Sequence, residues 1–405
     1  MLPDGLAGLT ALFDPRGVVD PYPRYAWLRS ARPVWRPVER VYVLSRHQDC
    51  AAVLRDPRFG RSEEGRLGMR RAGQRAEVTS ERPAVRSFLA LNPPDHTRLR
   101  RLVSRAFTPA RVRDLGPRIE AIAAGLIAAA IASGGPADLI AALASPLPVT
   151  VISELLGVPA ADYDWLVGWS DALARGLDPA FLISAADRER QQLARAEFGA
   201  YLSALIAERR QCPGDDLVSA LAGVVDDGDV LSEEELIATC ILLLVAGHET
   251  TTSLMGSAVL ELIRHPGQLA RLRAEPGLLA GAVEEFLRYD PPVQLTARVA
   301  LADASIGAVP VAAGSAVLML MGAANRDPDL CADPDDLDVA RPPTHHVSFG
   351  QGMHFCLGAP LARLETQIVL RQLLERPGEL RLAGEPAWKE NTVLRGLRRL
   401  PVAFG

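Results

Sequence analysis

The stretch Phe349-Gly350-Gln351-Gly352-Met353-His354-Phe355-Cys356-Leu357-Gly358 surrounds one cysteine with glycines. Glycine allows a loop to bring its backbone close to a ligand. A helix-like segment follows from Pro360, so loop N–H groups and the positive end of that helix can stabilise a thiolate at Cys356. A thiolate binds soft or redox-active metals strongly. We therefore predict that Cys356 is a metal ligand and not an inert cysteine in a turn.

A zinc site is an alternative for this region, because His345, His346 and His354 lie near Cys356. Adjacent histidines rarely bind one ion together, and the spacing matches no usual zinc finger or ribbon. The zinc interpretation is therefore the weaker one.

Length and composition restrict the possible classes of protein. With 405 residues, 48% of them hydrophobic, the chain can bury a large core. A net charge of −5 gives no reason to expect nucleic acid as a partner. The five cysteines contain no Cys-x-x-Cys pair, which indicates a reducing compartment. The first ten residues read as neither a signal peptide nor a membrane anchor, so we expect a cytoplasmic protein that does not bind membranes.

One long helix is predicted to cross the protein interior. Ser232 and Glu235 form a capping box, and the helix can run from about 233 to 264, where His265-Pro266 stops it. It contains Ala246-Gly247-His248-Glu249-Thr250-Thr251. Glycine inside a helix costs about 1 kcal/mol relative to alanine, and a flat ligand against the helix would explain Gly247. The Thr250 hydroxyl can bond back to the carbonyl of Ala246.

Two further clusters carry charge at helical spacing. His96 and Arg100 lie four residues apart, on one face of a helix predicted over 96–107. Glu285 and Arg288 lie three apart on a helix predicted over 280–289. Solvated side chains and a surface ion pair are the simplest interpretations of these two patterns.

These motifs together resemble those of the cytochrome P450 family. Phe-Gly-x-Gly-x-His-x-Cys-x-Gly is similar to the family's heme-binding loop, Ala-Gly-x-Glu-Thr-Thr to its oxygen-activating helix segment, and Glu285-x-x-Arg288 to its Glu-x-x-Arg element. The motifs follow in the family's order along nearly the whole chain. The resemblance implies a mainly α fold with small β-sheets, formed as a single large domain over 1–405 around the helix at about 233–264.

The resemblance also implies roles for particular residues. Cys356 would ligate the iron of heme b, while His96, Arg100, Arg298 and His354 would hold the propionates. Further cofactor contacts would come from Ala246, Gly247, Phe349, Gly350 and Gly358. Glu249 and Thr250 would be catalytic, guiding protons to iron-bound dioxygen. Arg341 would join Glu285 and Arg288 in a buried brace below the heme. The substrate pocket would include Leu89, Leu243, Ala246, Val293, Leu295 and Val393.

The activity implied is monooxygenation, the insertion of one oxygen atom of dioxygen into a small organic substrate by hydroxylation or epoxidation. The chain contains no dinucleotide fingerprint that would mark a fused reductase. Electrons from NAD(P)H would therefore come through a ferredoxin reductase and a ferredoxin, which could dock on Arg101, Arg105 and Arg363. A peroxide-driven heme enzyme and a non-catalytic heme-based sensor or binding protein are the alternatives.

The substrate is expected to be a secondary metabolite such as a polyketide, macrolide or peptide, as in antibiotic biosynthesis by the bacterial members that the chain resembles. Between residues 58 and 86 eight arginines outnumber four glutamates: Arg58, Arg61, Arg66, Arg70, Arg71, Arg75, Arg82 and Arg86 against Glu63, Glu64, Glu77 and Glu81. A basic loop at the pocket mouth would attract an anionic substrate or one tethered to an acidic carrier protein. A solvated loop whose arginines touch nothing is the alternative.

Overall fold

Helices dominate the structure, a computed structural model that describes residues 5–14, 19–61, 87–178, 183–226, 228–376 and 378–404. The α-helices of these ranges are α1 (Gly5–Leu12), α2 (Tyr22–Ala31), α3 (His47–Arg55), α4 (Asp95–Ala106), α5 (Pro109–Asp114), α6 (Gly116–Ala132), α7 (Pro146–Leu156), α8 (Tyr163–Arg175), α9 (Ala185–Gln211), α10 (Leu217–Gly223), α11 (Glu233–Arg264), α12 (Pro266–Ala274), α13 (Leu279–Tyr289), α14 (Met321–Asn325) and α15 (Ala359–Leu374).

The strands are short and form small sheets. They are β1 (Val34–Val38), β2 (Val41–Leu44), β3 (Phe59–Gly60), β4 (Ala137–Asp138), β5 (Leu295–Ala300), β6 (Ala304–Ile306), β7 (Val309–Val311), β8 (Ala316–Leu320), β9 (Leu380–Leu382), β10 (Ala387–Trp388), β11 (Leu397–Arg399) and β12 (Pro401–Phe404). The largest sheet has the order β1-β2-β8-β5-β3, in which only β2 and β8 are parallel. The predicted mainly α fold with small sheets is confirmed.

The long helix α11 begins at Glu233 and ends at Arg264, as predicted. Ser232 and Glu235 form the expected capping box, and the backbone turns away at His265, just before Pro266. Helices α7, α8, α9 and α15 pack around it. Because α11 is surrounded, most of its middle residues are buried in the main hydrophobic core.

Within the described ranges, two helical stretches are long and apolar enough to cross a membrane by length and composition, Pro109–Ala132 and Glu233–Arg264. Of the most apolar 18-residue window in the second stretch, 61% is buried inside the protein. That burial is typical of a core helix.

Candidate active site

The loop before Cys356 depends on glycine. Gly350 and Gly352 have φ values of 67° and 70°, in the left-handed region that L side chains rarely adopt. A Cβ on Gly352 would lie 2.5 Å from the carbonyl oxygen of Leu54. The Cys356 N–H donates to the carbonyl of Phe349 at 2.9 Å and closes the loop. This backbone fixes the position of the cysteine.

The Cys356 thiol lies at the start of α15. Burial raises its pKa, and the N–H groups of Gly358 and Ala359 and the guanidinium of Arg100 oppose that rise. The N–H groups at the start of α15 thus favour the thiolate, as predicted from the sequence, but without a bound metal burial disfavours the charged form more strongly. A coordinated metal ion deprotonates a thiol outright, so the side chain still suits metal ligation.

Cationic and imidazole side chains gather beside this loop from three parts of the fold. His96 of α4 and His354 pack with ring centroids 4.4 Å apart, and the ring nitrogens of both are buried without a hydrogen-bond partner. Burial lowers the pKa of the Arg298 guanidinium on β5 to about 10. Arg100 donates to the carbonyl of Phe355 at 2.9 Å. In the described part of the chain, no carboxylate pairs with any of these four side chains.

Such a cluster fits an anionic group, because charge-assisted hydrogen bonds to carboxylates are strong and buried donors need partners. His354 has its pKa lowered to about 3 by burial and by the neighbouring Arg298 and Arg61. The two propionates of heme b would supply the missing negative charge. The predicted set His96, Arg100, Arg298, His354 and Cys356 is therefore brought together in space, and its chemistry fits heme.

The middle of α11 has one accessible stripe on an otherwise buried helix. Ala246 is exposed, and Gly247 and Thr250 are partly exposed. The Thr250 hydroxyl donates to the Ala246 carbonyl at 2.6 Å, which confirms the predicted back-bond. The missing side chain of Gly247 would point at Ile152 of α7, with 3.6 Å to its nearest atom, an ordinary contact distance. The contacts of the protein itself therefore do not require glycine here, and the contact of Gly247 with a flat ligand stays a prediction.

Glu249 and the neighbouring Thr250 hydroxyl have different hydrogen-bond partners. The Glu249 carboxylate accepts from the Lys389 ammonium at 2.8 and 3.1 Å, and the described residues show no hydrogen bond between Glu249 and Thr250. His248 bridges the hydroxyls of Ser145 and Ser170 at 3.0 and 2.9 Å. Burial lowers the pKa of His248 to about 4, so it is neutral at pH 7.

The Glu285–Arg288 pair is buried, and the simplest sequence interpretation of a surface pair is wrong. Arg288 donates to both carboxylate oxygens of Glu285 at 2.7 and 2.8 Å. Arg341 donates to the same carboxylate at 3.1 Å, as the family resemblance implied. Arg288 also donates to the carbonyl of Asn325, whose side-chain oxygen accepts from the N–H of Val347 at 2.8 Å. The triad thus supports the start of the Cys356 loop.

The predicted pocket residues lie in different parts of the structure. Val293 bridges Leu394, and the neighbouring Gln294 N–H donates to the Val393 carbonyl at 2.9 Å, which brings Val293, Leu295 and Val393 close together. Leu243 is buried in the main core. Leu89 is partly buried in the short 3₁₀ helix Phe88–Ala90.

The three arginines predicted to dock a ferredoxin already have acidic partners. Arg101 and Arg105 both pair with the buried Asp226, and Arg363 pairs with Glu284 at 2.6 Å. Arg105 keeps 57% of its side-chain surface exposed. They are therefore accessible charges, held in place by carboxylates.

Sequence reasoning missed Lys389 and Asp171. Lys389 is the only lysine of the chain and it binds the buried Glu249. That uniqueness was the only signal in the sequence, because the two residues are 140 positions apart. Asp171, 3.7 Å from the same ammonium, carries no local motif.

Comparison with known proteins identifies the family. The sequence model described as Cytochrome P450 matches residues 179–376. Cytochrome P450 107B1 of Saccharopolyspora erythraea is 43% identical, with 100% of this chain and 98% of the relative covered. Mycinamicin IV hydroxylase/epoxidase of Micromonospora griseorubida is 42% identical, covering 94% and 95%. The chain belongs to the cytochrome P450 family, and it is a monooxygenase that uses heme iron and dioxygen.

The fold agrees with this assignment. The solved structure of P450BioI in complex with an acyl carrier protein ligated to hexadec-9Z-enoic acid superposes with a TM-score of 0.88 and 36% identity, covering 96% of this chain and 99% of that one.

Proposed function

We propose that the chain hydroxylates or epoxidises a bulky secondary metabolite, with Cys356 as the iron ligand of heme b. The observation that carries the heme assignment is the cluster of His96, Arg100, Arg298 and His354, whose nitrogens have no acidic partner in the described part of the chain. Phe349, Gly350 and Gly358 would form the cradle on the Cys356 side. When bound, the heme supplies the activation of dioxygen.

Each propionate contact can be tested by heme retention. Arg100→Ala removes one cation from the cluster, so we expect faster heme loss to apomyoglobin than in the wild type. Arg113→Ala, an exposed residue of α5, is the control and should leave heme loss unchanged. Equal rates in both variants would reject the role of Arg100.

On the α11 side, Thr250 and Glu249 would hold and pass protons. Thr250 lies on the accessible stripe, with its hydroxyl fixed by the Ala246 carbonyl. The Glu249 carboxylate is buried against Lys389, so it must exchange protons through water or by leaving that partner. A positioned acid and hydroxyl can contribute about 10²- to 10⁴-fold to a proton-coupled step.

Electron supply is proposed to run from NAD(P)H through a ferredoxin reductase and a ferredoxin, in the bacterial cytoplasm, to one domain that spans residues 1–405. The partly exposed guanidinium groups of Arg101 and Arg105 on α4 and of Arg363 on α15 are candidate contacts for an acidic partner. Product formation with ferredoxin, reductase and NAD(P)H, against peroxide alone, tests this route. Peroxide alone giving the full rate would favour the peroxide-driven alternative.

The substrate is proposed to be a polyketide, macrolide or peptide, free or tethered to a carrier protein. The names of Mycinamicin IV hydroxylase/epoxidase and of the P450BioI complex with acyl carrier protein support this class. The apolar side chains Val293, Leu295 and Val393, joined at the bridge to Leu394, would line the pocket.

The arginine-rich stretch between residues 58 and 86 is the reason for proposing an anionic substrate. Arg70 and Arg71 lie outside the described residues, and their role stays a prediction. If the loop attracts an anion, Arg70→Glu with Arg71→Glu weakens binding of a carboxylated macrolide or an acyl carrier protein, and added salt weakens it in the wild type. Binding that is indifferent to both would leave the apolar lining as the determinant of specificity.

A further inference from the structure

Arg61 brings a further guanidinium group to the cationic side of the site. It directly follows β3, which pairs with β5 in an antiparallel register that sets Gly60 opposite Val299. Continued by one residue, this register places Arg61 opposite Arg298. Residues directly opposite each other in a sheet have their side chains on the same face. The side chain of Arg61 is therefore expected beside that of Arg298.

The contacts of the two guanidinium groups confirm that they are neighbours. The Ala297 carbonyl oxygen accepts from Nη1 of Arg61 at 3.1 Å and from Nη1 of Arg298 at 2.9 Å. A carbonyl oxygen has two lone pairs and can accept both bonds, but it carries no formal charge. Like charges placed opposite each other in a sheet repel, so the carbonyl alone does not compensate this pair of cations.

The backbone of Arg61 is fixed by a single amide side chain. Asn92 accepts from the Arg61 N–H at 2.7 Å and donates to the Arg61 carbonyl at 2.5 Å. These two bonds take the place of those that a neighbouring strand would make. Gly60 leaves room for the amide, since a Cβ there would collide with the Asn92 side chain. The guanidinium group thus starts from a fixed backbone position at the end of β3.

Arg61 acts on the same buried imidazoles as Arg298. Burial is the largest cause of the lowered pKa of His354, and the charges of Arg298 and Arg61 come next. The ring of His96 lies 4.4 Å from that of His354 between centroids, and its pKa is lowered by burial and then by the charge of Arg100. Both imidazoles are therefore neutral at pH 7, and the arginines supply the positive charge of the cluster.

A carboxylate that lies inside the protein would compensate the arginine pair. Arg298 is only 4% exposed, so an anion that reaches both guanidinium groups is enclosed, as a resident cofactor is. Each carboxylate offers about four lone-pair sites, so the two propionates of heme have room for a third guanidinium group. Hydrogen bonds between ionised groups are about twice as strong as neutral ones, which makes a propionate a better partner for Arg61 than the Ala297 carbonyl.

We propose that Arg61 is a further heme-binding residue, whose guanidinium group pairs with the same propionate as Arg298. The inference rests on the heme site proposed above, with Cys356 as the iron ligand. It adds the end of β3 to the parts of the fold that hold the cofactor. One of the eight arginines between residues 58 and 86 then serves the heme and not the substrate.

Heme loss from the holoprotein to apomyoglobin tests this pairing. Arg61→Gln removes the charge, and we expect about tenfold faster loss, the lower part of the range for a hydrogen bond to a charged group, because Arg61 is partly exposed. Arg61→Lys keeps the charge without the planar fork. It should lose heme at an intermediate rate, and it serves as the second variant should Arg61→Gln fail to fold.

Arg58→Gln is the matched control. Arg58 lies three residues before Arg61, 52% of its side chain is exposed, and it pairs with Asp56 at 2.6 Å. Its replacement should leave the rate of heme loss at the wild-type value. Heme loss from Arg61→Gln and Arg61→Lys at that same rate would overturn the proposal.

Heme dimethyl ester separates a charge role from a packing role. The ester has the same porphyrin ring but no propionate charge. In protein reconstituted with it, Arg61→Gln should lose the ester at nearly the wild-type rate, because the effect of the substitution depends on the propionates. Equal acceleration for heme and for the ester would show that Arg61 only supports β5 through the Ala297 carbonyl, and the pairing would then be wrong.

The reduction potential of the heme iron gives a readout that does not depend on dissociation. A nearby positive charge favours the reduced iron, which carries one more electron. The potential should therefore fall in Arg61→Gln and stay unchanged in Arg58→Gln. An unchanged potential in Arg61→Gln would mean that its guanidinium group lies away from the porphyrin edge, against the proposal.

Failure of the proposed function would look different. A wild type that retains no heme, or whose ferrous carbon monoxide complex lacks the red-shifted thiolate band, contradicts the heme site itself. A wild type that holds heme, with faster loss in Arg100→Ala but not in Arg61→Gln, contradicts only the inference about Arg61.

Discussion

Replacing Arg288 by alanine should destabilise the fold more than any surface substitution. Arg288 is fully buried, and its guanidinium makes two hydrogen bonds to Glu285 and three to the carbonyls of Asn325, Pro334 and Asp336. Alanine would leave these carbonyls without their donor and remove a cation beside a buried carboxylate.

The magnitude follows from the contacts that remain. Breaking a buried ion pair by removing one partner costs about 3–5 kcal/mol. Glu285 would keep the Arg341 guanidinium at 3.1 Å and the Asp338 N–H at 3.0 Å, so we expect the lower part of that range. The Asn325 carbonyl would also lose its donor. Because Asn325 holds Val347 at the start of the Cys356 loop, heme loss should be faster as well.

Urea unfolding followed by far-UV circular dichroism measures the free energy of unfolding. The control is Arg118→Ala, since Arg118 pairs with Glu154 at 2.6 Å with 56% of its side chain exposed, and such pairs contribute about 0–1 kcal/mol. An Arg288→Ala protein whose unfolding free energy lies within 1 kcal/mol of Arg118→Ala, with normal heme retention, would refute the reasoning.

Three other substitutions, one of them with a matched control, give distinct outcomes. Thr250→Ala removes the hydroxyl beside the Ala246 carbonyl, so NAD(P)H oxidation should persist while product falls and peroxide rises; unchanged coupling would mean that protons arrive by another route. Gly352→Ala should lower heme content, because its Cβ would meet the Leu54 carbonyl at 2.5 Å at a φ of +70°. Gly125→Ala in α6, which meets no atom within 4 Å, should instead stabilise the protein by about 0.5–1 kcal/mol, and loss of heme in both variants would contradict the steric argument. His248 has its pKa lowered to about 4 by burial, so the stability that it contributes is present above its unfolded pKa of about 6.5 and is lost as the pH falls toward 4, roughly 3 kcal/mol in total. His248→Asn should flatten that part of the stability curve, and an unchanged curve would show that the pKa of His248 does not differ between the folded and unfolded states.

Local signals predicted the helices well. The capping box of Ser232 and Glu235 and the stop at His265-Pro266 are short-range features, and they gave both ends of α11. The same holds for the Thr250 back-bond, which joins residues one helical turn apart. Interactions of this kind need no knowledge of the tertiary fold.

Burial and distant partners could not be predicted in this way. An Arg three residues after a Glu has the same spacing on a surface helix as inside the protein, so the sequence could not show that Arg288 is buried beneath residues 325–336. The orientation of Glu249 was also missed, because its partner Lys389 comes from the β10 segment near the end of the chain. The net pKa of Cys356 depends on how much apolar structure covers it, which loop glycines do not reveal.

The two sides of the site differ in how their charge is balanced, and this difference bears on function. Beside Cys356, the cationic groups Arg100 and Arg298 have no carboxylate partner among the described residues, so that side suits a bound anion. Beside Thr250, the acidic group Glu249 already has its cation in Lys389. A ligand anion therefore gains little by approaching Glu249, because that carboxylate is already paired with Lys389. The same ammonium lies 3.7 Å from the exposed Asp171 carboxylate, so acidic groups and not free cations surround Lys389 on this side of the site.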